Sequence, residues 1–263
     1  MQLSYEYATA AVVGLMLCFV RMTGMVALNP FLARRNVPSQ IRVALSLGLA
    51  IVIAPGLDTA AVQDLGAIPL IAAMIRELFL GLCCSFVFQF FYYLLFFAGD
   101  FMDIQFGLSM ARVFDPGTSI QASVSGNLLT LLFALYVFTT DSHLVMIQLF
   151  AESFSLVPLG AFGVVNEAII GFMIDLSVSV FSLALRLALP FIAAEFVLEM
   201  SMGVLMKLIP QIHVFVINIQ FKLLLAILLL FFFASPISAF LGNYADLMMT
   251  SIKNALAVTG GGY

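Results

Sequence analysis

Between Ala67 and Ala98 the chain runs for 32 residues with only Arg76 and Glu77 carrying charge. A bilayer span needs about 20 mostly apolar residues, since each helical residue advances about 1.5 Å through about 30 Å of hydrocarbon. As one helix the run is about 48 Å long, more than an upright span uses. Its two charges add a second constraint. Neighbours on a helix point about 100° apart, so Arg76 and Glu77 do not pair with each other and each needs a partner elsewhere. Such a run belongs to a membrane protein. The composition agrees, with 63% hydrophobic residues, 9% charged residues and a mean hydropathy of +1.17, where a soluble domain carries about 25% charge.

The other apolar runs fit upright spans no better. Ala8–Leu28 qualifies, interrupted by Arg21 and ended by Asn29-Pro30. Val43–Leu57 is short and contains Pro55. Asn127–Phe150 carries a polar knot, Thr139-Thr140-Asp141-Ser142-His143, which predicts a helix break or tight turn. Glu152–Glu167 reads as loop. Ala168–Val197 holds Asp175, Arg186 and Pro190, and Ile209-Pro210-Gln211 marks a turn. Ile212–Leu241 is the last run, with Lys222 inside and Pro236 near its end. The expected fold is therefore an all-α membrane protein of broken and kinked apolar helices. The basic loop Arg34/Arg35/Arg42 puts that side in the cytoplasm and the N-terminus outside. The bias then fades, because the central loop is net −2 and Glu195–Gln211 is net −1. No positive n-region precedes Arg21, so the first run is expected to stay in the mature protein.

Ionisable groups in apolar runs are costly and face protein or water. Asp175, Ser179, Ser182 and Arg186 form one stripe of a helix, and Glu195, Glu199, Met202 and Met206 another. Gln211, Asn218 and Lys222 form a third. With a turn at Pro210-Gln211, Glu199 and Lys222 come level across a helical hairpin and are predicted to pair. Three readings of such stripes stand side by side: glue between helices, a proton or ion relay, and the lining of a wet conduit. The relay reading would suit an independent ion or small-molecule transporter. The methionines Met102, Met110, Met200, Met202 and Met206 read as gap fillers or as a compliant seal. Close-packing GxxxG is absent, since no two glycines lie four apart.

Several function classes drop out. The net charge of −4 and the scattered basic residues form no stripe for nucleic acid. Cys18, Cys83 and Cys84 lie in apolar runs without disulfide or metal-ligand spacing. His143 and His213 have no HExxH-type companion, and GxSxG, Walker and CxxC motifs are missing. No catalytic residues, cofactor or metal are expected. His143 beside Asp141 reads as a relay residue or a local hydrogen-bond partner.

The longest interruption is Gly99–Ser125, GDFMDIQFGLSMARVFDPGTSIQASVS. It holds Asp100, Asp103, Arg112 and Asp115, three glycines, and an Asp-Pro-Gly turn signal. Phe101, Met102, Ile104, Phe106, Leu108, Met110, Val113 and Phe114 are too many bulky apolar groups for a solvated linker. Phe106, Met110 and Phe114 recur at helical spacing, so part of it could form a short wedge. The segment must rest against protein or the mouth of a cavity, and Asp100 and Asp103 either anchor it or line a path.

These residues resemble the FliR family, the R subunits of flagellar and type III secretion export gates. Arg21, then Asn29-Pro30-Phe31, Arg35-Asn36-Val37-Pro38, Arg42 and Ala54-Pro55 follow the family pattern at the start. Gln105-Phe106-Gly107-Leu108-Ser109 with Phe114-Asp115-Pro116 is the most specific piece. Leu189-Pro190, Pro210-Gln211 and Phe215-Val216-Ile217 follow in order. The resemblance implies a non-enzymatic structural and conduit subunit in the bacterial inner (cytoplasmic) membrane, at the flagellar basal body or an injectisome. Residues 1–165 would be P-subunit-like, with the central loop 99–125, and residues 166–263 a Q-subunit-like helical hairpin. Its partners would be P and Q subunits (FliP, FliQ), the B subunit FlhB, the A subunit FlhA, membrane lipid and unfolded export substrates, with no nucleic acid. The plug would be carried by Phe106, Gly107, Leu108, Ser109, Met110, Phe114, Asp115 and Pro116. Packing or lining would fall to Arg21, Arg76, Glu77, Asp175, Arg186, Glu199 and Lys222. A portal lifted from the membrane plane would make simple topology counting unreliable. The chain ends after its last apolar run, so no fused B subunit is expected.

Overall fold

The computed structural model describes residues 2–33, 37–59, 62, 65–108, 123–161, 167–209 and 214–259. All regular structure among them is helical: α1 (Gln2–Ala27), α2 (Ser39–Ile53), α3 (Ala67–Gln105), α4 (Val124–Thr139), α5 (Ser142–Leu156), α6 (Glu167–Leu208), α7 (Val214–Phe232) and α8 (Ala234–Thr259). Ala54–Gly56 adds a 3-10 turn at the end of α2. Four helical stretches are long and apolar enough to cross a membrane: Thr9–Ala27, Ser39–Gly56, Ala67–Gln105 and Ala168–Leu208. Two bent pairs, α4 with α5 at 75° and α7 with α8 at 62°, raise the number to as many as six. The protein is an all-α membrane protein.

The polar knot after Phe138 breaks the chain as its composition predicts. Asp141 takes a left-handed backbone (φ 56°) between α4 and α5, and its carbonyl accepts from the Leu144 N–H at 2.8 Å to start the next turn. Other boundaries differ from the sequence reading. Glu152 is not loop but lies in α5, where its carboxylate accepts from Gln148 Nε2 one turn back at 2.9 Å. The apolar run bounded at Val197 is part of a longer helix, because α6 continues for 42 residues through Pro190 to Leu208. The last run breaks at Phe233 rather than beyond Leu241. Pro236 then falls in the first turn of α8, where a missing N–H costs nothing because those N–H groups have no intrahelical acceptor. The stretch at Gly99 is helical as far as Gln105, so the central interruption is shorter than its composition suggests.

Packing groups the chain into two compact units: Met1–Phe91, Thr140–Leu176 and Asp246–Tyr263 in the first, Tyr92–Thr139 and Ser177–Ala245 in the second. In the first, α1 and α3 meet through single glycines. A Cβ on Gly24 would lie 2.7 Å from the Leu78 carbonyl oxygen and 2.9 Å from the Gly81 Cα. Ser85 Oγ donates to the Gly24 carbonyl at 2.9 Å in the same contact. Around it Leu17, Cys18, Met22, Met25, Leu80 and Phe88 are fully buried. In the second unit aromatic pairs set the core: Phe97 with Phe181 at 5.9 Å, Phe133 with Tyr244 at 5.5 Å and Phe191 with Phe233 at 5.2 Å between ring centroids.

Candidate functional site

In the first unit Arg21 is fully buried beside an equally buried Glu77. Its Nε donates to Glu77 Oε2 at 2.5 Å. Its Nη1 donates to the carbonyls of Ser153 at 3.0 Å and Val157 at 2.9 Å, at the end of α5. The guanidinium lies 4.1 Å over the Phe154 ring, which adds a cation–π contact. Glu77 Oε1 accepts from the Gly160 N–H at 2.9 Å. Arg21 thus ties α1 to α3 and neutralises carbonyls that α5 leaves open at its C-terminus. Arg76, one residue from Glu77, does the opposite. It is exposed and lines a cleft of about 300 Å³ with Val62, Pro69, Ala73 and Leu159.

The second unit holds the base of the central interruption. Asp103, on the last turn of α3, is 1% exposed. Its Oδ2 accepts from Ser123 Oγ at 2.8 Å and from the Val124 N–H at 2.6 Å. Its Oδ1 accepts from the Ser125 N–H at 3.1 Å. Ser123 is also the N-cap of α4, accepting from the Gly126 N–H at 2.9 Å. The first N–H groups of a helix lack intrahelical acceptors and carry partial positive charge. Here a carboxylate 20 residues earlier supplies the acceptors. One turn before Asp103, Gly99 packs against the backbone of Ser125 and Gly126, and a Cβ there would sit 2.6 Å from the Ser125 carbonyl carbon. The two legs of the interruption are held together at their feet.

Phe106 is buried, its ring 6.0 Å from that of Phe191. Gly107 turns the chain with φ +74°, a conformation that favours glycine. A Cβ at this glycine would meet the Lys222 Cδ at 3.9 Å. Leu108 is half-buried. Ser109, Met110, Phe114, Asp115 and Pro116 lie outside the described residues.

Lys222 on α7 pairs with Glu199 on α6, as the hairpin spacing predicts. Asp175 and Arg186 are both exposed on α6. The sequence reading left the role of Asp103 open and missed Ser123, Ser153 and Gly160. A Ser three residues before the Gly126 N–H it caps is a start signal that could have found Ser123. The remote acceptors have no such local mark.

The structure defines an all-helical membrane protein in which the buried charges Arg21, Glu77 and Asp103 are tied into the packing. Comparison with known sequences then narrows the class. Residues 12–248 match the sequence model of "Bacterial export proteins, family 1". The chain is 24% identical over 247 residues to "Flagellar biosynthetic protein FliR" of Bacillus subtilis (strain 168), covering 93% of this chain and 95% of the relative. It is 26% identical over 238 residues to the protein of the same name from Escherichia coli (strain K12), covering 90% and 89%. "Yop proteins translocation protein T" of Yersinia pestis is 26% identical over 219 residues, covering 83% and 84%. The chain belongs to the FliR family of bacterial export proteins.

Proposed function

We propose that the chain is the R-type subunit of a flagellar type III export gate in the bacterial inner membrane. It acts without catalysis, as a structural and conduit subunit for unfolded export substrates. Its partners on this reading are P- and Q-type subunits, with the A and B subunits of the apparatus at its base. Residues 1–165 serve as the P-like part and residues 166–263 as the Q-like part. The segment 106–124 acts as the plug, and Phe106, Gly107 and Leu108 form its root.

The observation that carries the plug reading is the foot of that segment. Asp103 and the Gly99–Gly126 contact fix both legs at one point, which gives a plug carried between them a fixed base. The packing role of Arg21 and Glu77 draws on their hydrogen bonds to Ser153, Val157 and Gly160, which a mobile relay would have to break. A second reading, an injectisome gate subunit, is favoured by the likeness to the Yersinia translocation protein, close in identity to that of the flagellar relatives.

Deleting Gly107–Thr118 tests the plug. Assembled gates carrying the deletion should leak ions across the membrane, measured as loss of membrane potential. Unchanged ion permeability in an assembled deletion gate would refute it. Copurification with P- and Q-type subunits tests the subunit reading, and a chain stable alone that binds a small solute would favour an independent transporter.

A further inference from the structure

Beside the Glu199–Lys222 pair stands a carboxyl group without a hydrogen-bond partner among the described residues. Glu195 is one turn before Glu199 on the same face of α6 and 1% exposed. Neither of its carboxyl oxygens has a hydrogen-bond partner among the described residues. Glu199, by contrast, keeps half of its side chain exposed (51%) while it holds the Lys222 ammonium. The charged groups acting on Glu195 are Lys222 from α7 and Glu199 from α6. On α7, one turn before Lys222, Asn218 Oδ1 is also buried without a partner. One ammonium with three donors therefore serves an exposed acceptor, while two buried acceptors nearby have no partner among the described residues. A buried polar group left unpaired is costly, and more so in a chain embedded in lipid. The stem of Lys222 is moreover the group nearest to the side-chain position of Gly107, with its Cδ 3.9 Å from where a Cβ there would sit, at the root of the central interruption.

We propose that Lys222 has two stations on α6, Glu199 in the arrangement seen here and Glu195 in a second one, and that the root at Gly107 sets the balance. The stations lie one helical turn apart, about 6 Å, within reach of a four-carbon stem that changes rotamers while its Cα stays in place. With the root seated against the stem, the ammonium is held at the exposed station. With the root lifted, the stem can swing to the buried one. The pair is then a two-state element whose populations an adjoining segment biases. The inference rests on side-chain geometry and stands apart from the export reading.

The test uses the full chain reconstituted in lipid, with nitrogen-15 at lysine Nζ and carbon-13 at glutamate Cδ. Lys222→Gln identifies the Lys222 signal. In the unaltered chain the Nζ–Cδ dipolar contact should go to Glu199. In Glu199→Gln it should move to Glu195 and vanish again in the double variant Glu195→Gln/Glu199→Gln. Deleting Gly107–Thr118 should raise the Glu195 contact without any change on α6. Absence of a Glu195 contact in Glu199→Gln would overturn the second station. Its presence there but not in the deletion would overturn control by the root. A thermodynamic readout runs in parallel. With two stations, Glu199→Gln alone should shift the unfolding equilibrium only slightly, and the double variant should lose about tenfold more than the two single changes combined. Strictly multiplicative effects would refute the exchange.

Discussion

Asp103→Ala is the sharpest perturbation of the central segment's foot. It removes the acceptor of three donors: Ser123 Oγ, the Val124 N–H and the Ser125 N–H. Hydrogen bonds to a charged group contribute about 1.5–3 kcal/mol each, so simple addition would give about 4.5–9 kcal/mol. That sum overshoots for two reasons visible in the structure. The Ser123 hydroxyl still caps the Gly126 N–H, so α4 keeps one cap. Val124 is 59% exposed, so water can reach its freed N–H. The Ser125 N–H remains as the buried orphan, together with the lost charge at a helix N-terminus. A cost of about 2–3 kcal/mol follows.

The assay is native-state hydrogen exchange on the full chain in detergent or lipid. A local loss of that size should speed exchange of the Val124 and Ser125 amides about 30- to 150-fold. Amides in the middle of α4, at Leu129 and Phe133, are the control and should change little. Asp103→Asn keeps one acceptor oxygen and should fall between, at about 1 kcal/mol. Unchanged exchange at Val124 and Ser125 would refute the anchor. Equal acceleration along all of α4 would refute it too, because the loss would then be global.

Four further outcomes follow from the packing. Arg21→Met or Glu77→Leu alone should cost about 3–5 kcal/mol in equilibrium unfolding, because each leaves a buried charge unpaired, while the double variant should cost clearly less than the sum. Gly24→Val should lower the yield of folded protein in size-exclusion chromatography, because its Cβ meets the backbone of Leu78 and Gly81 and the helices must separate, at about 1–3 kcal/mol. Gly48→Ala, with nothing within 4 Å of the new Cβ, should be neutral or stabilising by the same measurement. Phe106→Ala should lower the unfolding midpoint by emptying a buried ring site beside Phe191, at about 3–5 kcal/mol.

Sequence periodicity carried the phase of each helix face but rarely the partner. That Arg76 and Glu77 face apart was readable from helix geometry. That Glu77 meets Arg21 was not, because the two lie 56 residues apart and only the α1–α3 packing sets their register. Glu199 and Lys222 could be paired because few residues separate the end of α6 at Leu208 from the start of α7 at Val214, so counting from Pro210 fixes which residues are level. The glycine contacts escaped for a related reason. GxxxG is a mark within one helix, whereas Gly24 with Gly81 and Gly99 with Gly126 are single glycines meeting across two. A charge misled the boundary of α5. Glu152 looked like the start of a loop, yet a carboxylate with a helical neighbour sits in a helix without loss.

Charges sit in these apolar helices for a reason other than packing strength. Packing alone would be served as well by hydrophobic residues of equal volume, since a buried ion pair adds little net stability. What an ion pair adds is register. Arg21 accepts one alignment of α1 against α3 and α5, the one that brings Glu77, Ser153 and Val157 to its nitrogens together. Asp103 accepts one alignment of α3 against α4. In lipid, helices gain no hydrophobic drive to choose one neighbour face over another. Much of α2 and α6 stays exposed and apolar, including Val52, Ile68 on the adjoining α3, Val197 and Leu208, so sliding there would cost little by burial alone. Between α1, α3, α4 and α5 the paired buried charges forbid it. Where broken and overlong helices meet at Arg21 and at Asp103, they keep one arrangement because each of these side chains closes its set of hydrogen bonds at one place.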